Sequence, residues 1–359
     1  MQRLREKIGQ MIMVGCRGEQ ISPDEQIIFE EYGFGGFVLF RHNCSEPRQI
    51  LALCRNLWDG ATNQPPLIAI DQEGGAVHRL PQPFTHFPAA STIGARQDAS
   101  LAYRAGHASA AELALIGVNL NFAPVLDVNS NPTNPIIGTR AFGSNPGFVS
   151  NMASAWTRGL RHGGIIPCGK HFPGHGGSDK DSHLSLPVVD KSLTELQAVD
   201  LPPFIEACRS GIEALMTAHV KFPALDPSHA ATLSEPIMTG LLRHQLGYDG
   251  VVFSDDMEMK AISDHYVAGE AAALAVRAGI DALLFCHDVA NAVGALDALH
   301  AEAERSPAMR ALVEASYRRV IGLKQRYLKS FSGVAENELE DRLTRLDHQS
   351  IVAEIHGNL

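Results

Sequence analysis

Two stretches of this chain hold residue types suited to proton transfer and nucleophilic attack. KHFPGHGGSDKDSH, running from Lys170 to His183, crowds lysines, histidines and aspartates among glycines. Within it Asp181 precedes His183 by two residues, close enough for the carboxylate to orient the imidazole and stabilise its protonated form. Such a histidine can protonate a leaving group and then take a proton from water, and its reference pKa of about 6.5 suits neutral pH. The second stretch, GVVFSDDMEM, sets Asp255 at a strand terminus, where a carboxylate can attack an electrophilic carbon without a metal. The chemistry suggested is acid/base catalysis with a carboxylate nucleophile, the surrounding glycines and prolines allowing a mobile loop.

Two other chemistries compete for the same residues. A phosphate-binding loop is disfavoured because Lys170 precedes the glycines and the GxxxxGK[ST] order is missing. His171, His175, Asp181, His183 and His219 are metal-ligand types. Metal-dependent barrel amidohydrolases, however, carry an H-x-H pair at the end of their first strand, where this chain has MIMVGCRG. The expectation is that neither metal nor cofactor is required.

Positioning these groups falls to short apolar runs, each followed by a helical pattern. Strands are expected at 11–15, 35–40, 67–71, 118–128, 165–172, 214–220, 250–256 and 282–286. Between them helical periodicity appears in EPRQILALCRNLWDG, SLAYRAGHASAAELALIG, PGFVSNMASAWTRGLRHG, SLTELQAVDLPPFIEACRSG and AGEAAALAVRAG. Strands that are apolar throughout and alternate with helices imply a parallel sheet covered on both faces. Eight units favour an α/β fold of the closed (β/α)8, or TIM barrel, type. Asp71, Lys170 with His171, His219, and Asp255 with Asp256 all sit at strand ends, which in such a barrel converge on one mouth.

Composition narrows the partners. The 359 residues carry 45% hydrophobic content and a formal charge of −10, which gives no footprint for nucleic acid or an anionic membrane. Six scattered cysteines, without a CxxC pair, read as reduced thiols of a cytoplasmic protein. The start MQRLREKIGQMIMVGC imitates a lipoprotein signal, but its apolar run is short and interrupted by Gln10. No later segment approaches the ~20 apolar residues of a membrane span.

With these motifs in place, the chain resembles the glycoside hydrolase family 3 β-N-acetylglucosaminidases, the NagZ type of bacterial peptidoglycan recycling. GGFVLFRHN, IAIDQEGGAVHRL, NLNFAPVLDV, IIGTRAFG, GKHFPGHGGSDKDSH and GYDGVVFSDDMEM carry the resemblance, over about residues 5 to 330. It implies Asp255 as nucleophile, His183 as acid/base with Asp181 as its partner, and Asp71, Arg79, Arg140, Lys170 and His171 as sugar-binding residues. The implied reaction is retaining hydrolysis of terminal β-linked N-acetylglucosamine, a histidine replacing one of the usual two carboxyl groups. Thr139 stands where many relatives have an acidic residue before the arginine. Residues 1–333 are expected to form the catalytic barrel and 334–359 a helical tail, with no second domain. Competing functions are a family 3 glycosidase of other sugar specificity, a phosphorolytic variant, or a non-catalytic sugar-binding protein. The joint presence of Asp255 and the Asp181/His183 pair argues against the last.

Overall fold

The computed structural model describes residues 2–182 and 184–357. Its eight strands are β1 (Ile12–Gly15), β2 (Gly36–Leu39), β3 (Leu67–Ile70), β4 (Leu120–Asn121), β5 (Ile166–Phe172), β6 (Ala214–Thr217), β7 (Val251–Asp256) and β8 (Ala282–Phe285). They pair in sequence order, all parallel, and close when β1 meets β8 through Ile12 opposite Leu283 and Val14 opposite Phe285. The fold is a (β/α)8 barrel.

Alternation along each strand divides the core in two. Met13, Val38, Ala69, Leu120, Phe122, Ile166, Cys168, Met216, Phe253 and Leu284 fill the barrel interior. Their neighbours Ile12, Val14, Phe37, Leu39, Ile68, Ile70, Val252 and Leu283 face the helices. Both faces are apolar, which is why the strands read as unbroken hydrophobic runs. At the floor Val320, Leu323 and Leu328, on or just past the helix Pro307–Tyr327, join the interior cluster and close it.

Helix boundaries follow local chemistry. Pro23–Tyr32 starts with a Ser22/Glu25 capping box and stops at Gly33 in the left-handed region. Asp98, Asn145 and Asp288 cap the N-termini of Ala99–Leu115, Pro146–His162 and Val289–Arg305.

Two elements depart from expectation. The fourth strand spans two residues, not eleven, because Pro124 has no N–H for a ladder. The chain rejoins the sheet only at Val125, which bridges to Lys170. The helical pattern from Ser192 breaks into a single turn at Leu193–Glu195, a wider turn over Leu196–Asp200 and the helix Pro202–Arg209. Pro202 and Pro203 cannot donate to an unbroken ladder.

After the barrel, Leu339–Arg345 and Gln349–His356 are helical and pack on the helix Ala99–Leu115. Among the described residues no helix is long and apolar enough to cross a membrane.

Candidate active site

The C-terminal ends of the strands enclose a cavity of about 410 Å³, within the usual size of a small-molecule site. Asp71, Arg79, Arg140, Lys170, His171 and Asp255 all line it. A larger cavity of about 810 Å³ lies between Pro23–Tyr32 and Pro47–Asp59, away from the strand ends that carry these charged groups.

Irregular pairing at two strand ends aims consecutive side chains at this cavity. In β5 the register shifts between Gly169 and Phe172, so that Lys170 and His171 together face the mouth. The same happens in β7 between Phe253 and Asp256, which brings both Asp255 and Asp256 to the lining. A regular strand would send one of each pair to the opposite face; a bulge re-aims it.

One wall is an ion-pair network. Lys170 Nζ lies 2.5 Å from Asp71 Oδ1 and 2.6 Å from Glu73 Oε1. Arg140 makes a forked contact with Glu73, Nε and Nη2 each donating at 2.8 Å. Burial opposes ionisation of Glu73, but Arg140 and Lys170 hold its carboxyl far below the usual range. Burial likewise opposes the Lys170 charge, and Asp71 and Glu73 overcome it, raising its pKa. The support for Arg140 therefore comes from Glu73, 67 residues away, and not from its neighbour Thr139.

Beneath this wall sits Asp127, fully buried. It accepts from the His171 ring at 2.6 Å and from the His175 backbone N–H at 2.6 Å. Burial would raise its pKa, but His171 and His175 lower it.

On the opposite side Asp255 accepts the Asp256 backbone N–H at 2.8 Å. Burial acts to raise its pKa, yet His219, His171, that N–H and Lys170 bring it below the ordinary carboxylate value. His219 donates or accepts at Thr232 Oγ1, 2.7 Å away, and meets the Asp256 carbonyl at 3.0 Å. Asp256 pairs with His287 at 3.2 Å, which raises the His287 pKa.

The glycine-rich loop begins tightly packed. A Cβ on Gly176 would lie 1.8 Å from the Val128 carbonyl oxygen, so close backbone approach, not hinging, explains this glycine. Asn134 and Asn131 donate to the His175 and Ser178 carbonyls. The His175 ring sits between the Ser178 and Ser182 hydroxyls at 2.8 and 3.0 Å. Burial lowers the His175 pKa to about 4, so this ring is neutral. The carbonyl of Asp181 accepts the Leu184 and Ser185 N–H groups. His183, the expected acid/base, lies outside the described residues.

Of the metal-ligand types, His171 pairs through Nδ1 with Asp127, His175 with two serines and His219 with Thr232. Among the described residues no group of three or more His, Cys, Asp or Glu is placed to hold a metal ion.

Glu73 and Asp127 are the residues sequence reasoning missed. The former is the second acid of DQEGG, just past β3, and the latter the only charge in VNLNFAPVLDV, two residues after the Val125 bridge.

A parallel β/α barrel with ionised carboxylates and paired cations around one cavity at its strand C-termini has the build of a barrel enzyme. The sequence matches the glycosyl hydrolase family 3 N-terminal domain over residues 3–323, and the chain belongs to that family. A beta-hexosaminidase of Alkalilimnicola ehrlichii is 38% identical over 283 residues, covering 77% of this chain and 80% of the relative. Among solved structures, a glycoside hydrolase family 3 beta-N-acetylglucosaminidase from Paenibacillus sp. str. FPU-7 superposes with a TM-score of 0.88 at 41% identity, over 97% of this chain and 68% of that one. NagZ from Neisseria gonorrhoeae, in complex with N-trifluoroacetyl-D-glucosamine, superposes with 0.80 at 30% identity, over 97% of both chains.

Proposed function

We propose that this chain is a retaining exo-β-N-acetylglucosaminidase, working through a covalent glycosyl-aspartate on peptidoglycan-derived muropeptides in the cytoplasm. The observation that carries the reading is Asp255: a carboxylate at the end of β7, lining the cavity, whose pKa is brought below the ordinary value by His219, His171, the Asp256 N–H and Lys170. Similarity to proteins described as beta-hexosaminidase and beta-N-acetylglucosaminidase supports the choice of sugar.

The binding groups suit a polyhydroxylated ring. Asp71 and Lys170 can exchange hydrogen bonds with adjacent hydroxyls, and the Arg79 Nε is buried without a partner among the described residues. An unmet guanidinium N–H beside a cavity favours an incoming acceptor. Asp127 occupies His171 Nδ1, which leaves Nε2 for substrate.

In the first step Asp255 attacks the anomeric carbon through an oxocarbenium-like transition state. The glycosidic C–O bond breaks and His183, oriented by Asp181, protonates the departing oxygen. Water then attacks the glycosyl-enzyme with His183 as base, releasing the sugar with net retention. This route uses neither metal nor cofactor. We assign catalysis to residues 1–333 and read 334–359 as a helical tail.

The test compares hydrolysis of aryl β-N-acetylglucosaminide and aryl β-glucoside. Wild type should strongly prefer the N-acetyl sugar, and Asp255→Ala should lower kcat by about 10⁴-fold or more. His183→Ala should impair disaccharide cleavage more than aryl glycoside cleavage, since a good leaving group needs less protonation. Equal losses on the two substrates would count against His183, and activity retained by Asp255→Ala would move the nucleophile elsewhere.

A further inference from the structure

The segment after the barrel reaches the substrate wall by two routes. His348 Nδ1 lies 2.9 Å from Glu112 Oε1, both side chains largely buried. The other oxygen of Glu112 accepts the Thr85 backbone N–H at 3.0 Å. Thr85 belongs to the loop after β3 that carries Asp71, Glu73 and Arg79. This loop folds back on itself: the Gly75 N–H donates to the Phe87 carbonyl at 2.8 Å, and His86 meets the Gly75 carbonyl at 2.7 Å. The His348 ring also faces Phe87, with centroids 6.3 Å apart.

The second route runs through the helix Ala90–Ala95. Gln349–His356 packs on it and is tied to Ala99–Leu115 by Arg104–Glu354 at 2.5 Å. Ala90–Ala95 in turn contacts the Gly138–Arg140 turn. Its Gly94 lies so close to Phe142 that a Cβ would stand 2.0 Å from that carbonyl oxygen. Both routes thus end behind residues joined by the Glu73–Arg140 fork.

We propose that residues 346–357 form a strap that sets the position of the substrate wall, with His348 as the positioning residue acting through Glu112 on the β3 loop. The family match ends at residue 323, so the strap lies beyond it. The inference rests on the proposed sugar-binding role of Asp71, Arg79 and Arg140.

The test measures kcat and KM for an aryl β-N-acetylglucosaminide, together with hydrogen exchange across 71–89, in the full chain. His348→Ala should raise KM about tenfold, as loss of one charge-assisted hydrogen bond allows, with kcat changed less and exchange faster in that loop. His348→Gln, which can still donate to Glu112, should restore most of the KM. Glu354→Gln should move KM and exchange the same way by a smaller factor, and it carries the test if His348→Ala fails to fold. Unchanged KM, or loop exchange no faster than in the rest of the barrel while the melting temperature falls, would overturn the strap. If wild type cleaves no N-acetylglucosaminide, the proposed function fails, and loop exchange alone then decides the strap.

Discussion

The barrel buries a lysine at each end, and the pKa values of the two are pushed in opposite directions. Lys170 at the mouth is 2% exposed and Lys324 at the floor 1%. Lys170 has Asp71 and Glu73 within 2.6 Å and is held charged. Lys324 Nζ donates to the Gln10 amide oxygen at 2.7 Å, and burial pushes its pKa down to about 7. Equal burial with opposite shifts shows that counter-charges separate these two lysines. The mouth maintains a fixed cation beside the cavity, whereas the floor holds an amine that titrates near neutrality.

Substituting Lys170 breaks the contrast most severely. Lys170→Met leaves Asp71 and Glu73 without their shared cation and should destabilise by about 3–5 kcal/mol, read from urea midpoints. Glu73→Gln should cost about 2 kcal/mol. It should also move Lys170 toward the condition of Lys324, drawing the alkaline limb of the kcat/KM profile toward neutral pH.

At the floor the sign reverses. The folded pKa of Lys324 lies below its unfolded value, so between about pH 7 and 10 the unfolded chain binds the extra proton and this group adds stability as pH rises. Lys324→Met should therefore stabilise by about 1–2 kcal/mol at pH 6.5 and by less at pH 9. Gln10→Glu supplies the missing counter-charge. It should flatten the same pH dependence with a net change under about 1 kcal/mol, and an unaltered slope would mean the amine titrates elsewhere.

The sequence displays the strands because both faces are apolar, and it displays Asp71, Lys170, His171 and Asp255 because each ends such a run. Glu73 and Asp127 stay hidden for a physical reason. Their partners Arg140 and His171 are 67 and 44 residues away, and only the lateral pairing of β3, β4 and β5 brings them together. The shortness of β4 could have been read from Pro124, and the break before Pro202–Arg209 from its paired prolines. Pairing irregularities in β5 and β7 leave no local mark, since they depend on the neighbouring strand. The glycines of the 174–177 segment were legible as glycines but not as contacts, because Gly176 is required by the Val128 backbone.

Closure between β1 and β8 also sets an order of events during synthesis. The hydrogen-bonding edge of Ile12–Gly15 faces Ala282–Phe285, some 270 positions downstream. At about 5–20 residues per second the ribosome needs roughly a quarter of a minute to a minute to deliver that partner. The floor contributed by Val320, Leu323 and Leu328 arrives later still. Through that interval the nascent chain carries an open parallel sheet edge with an unsealed apolar interior, the kind of surface that recruits chaperones or a neighbouring nascent chain.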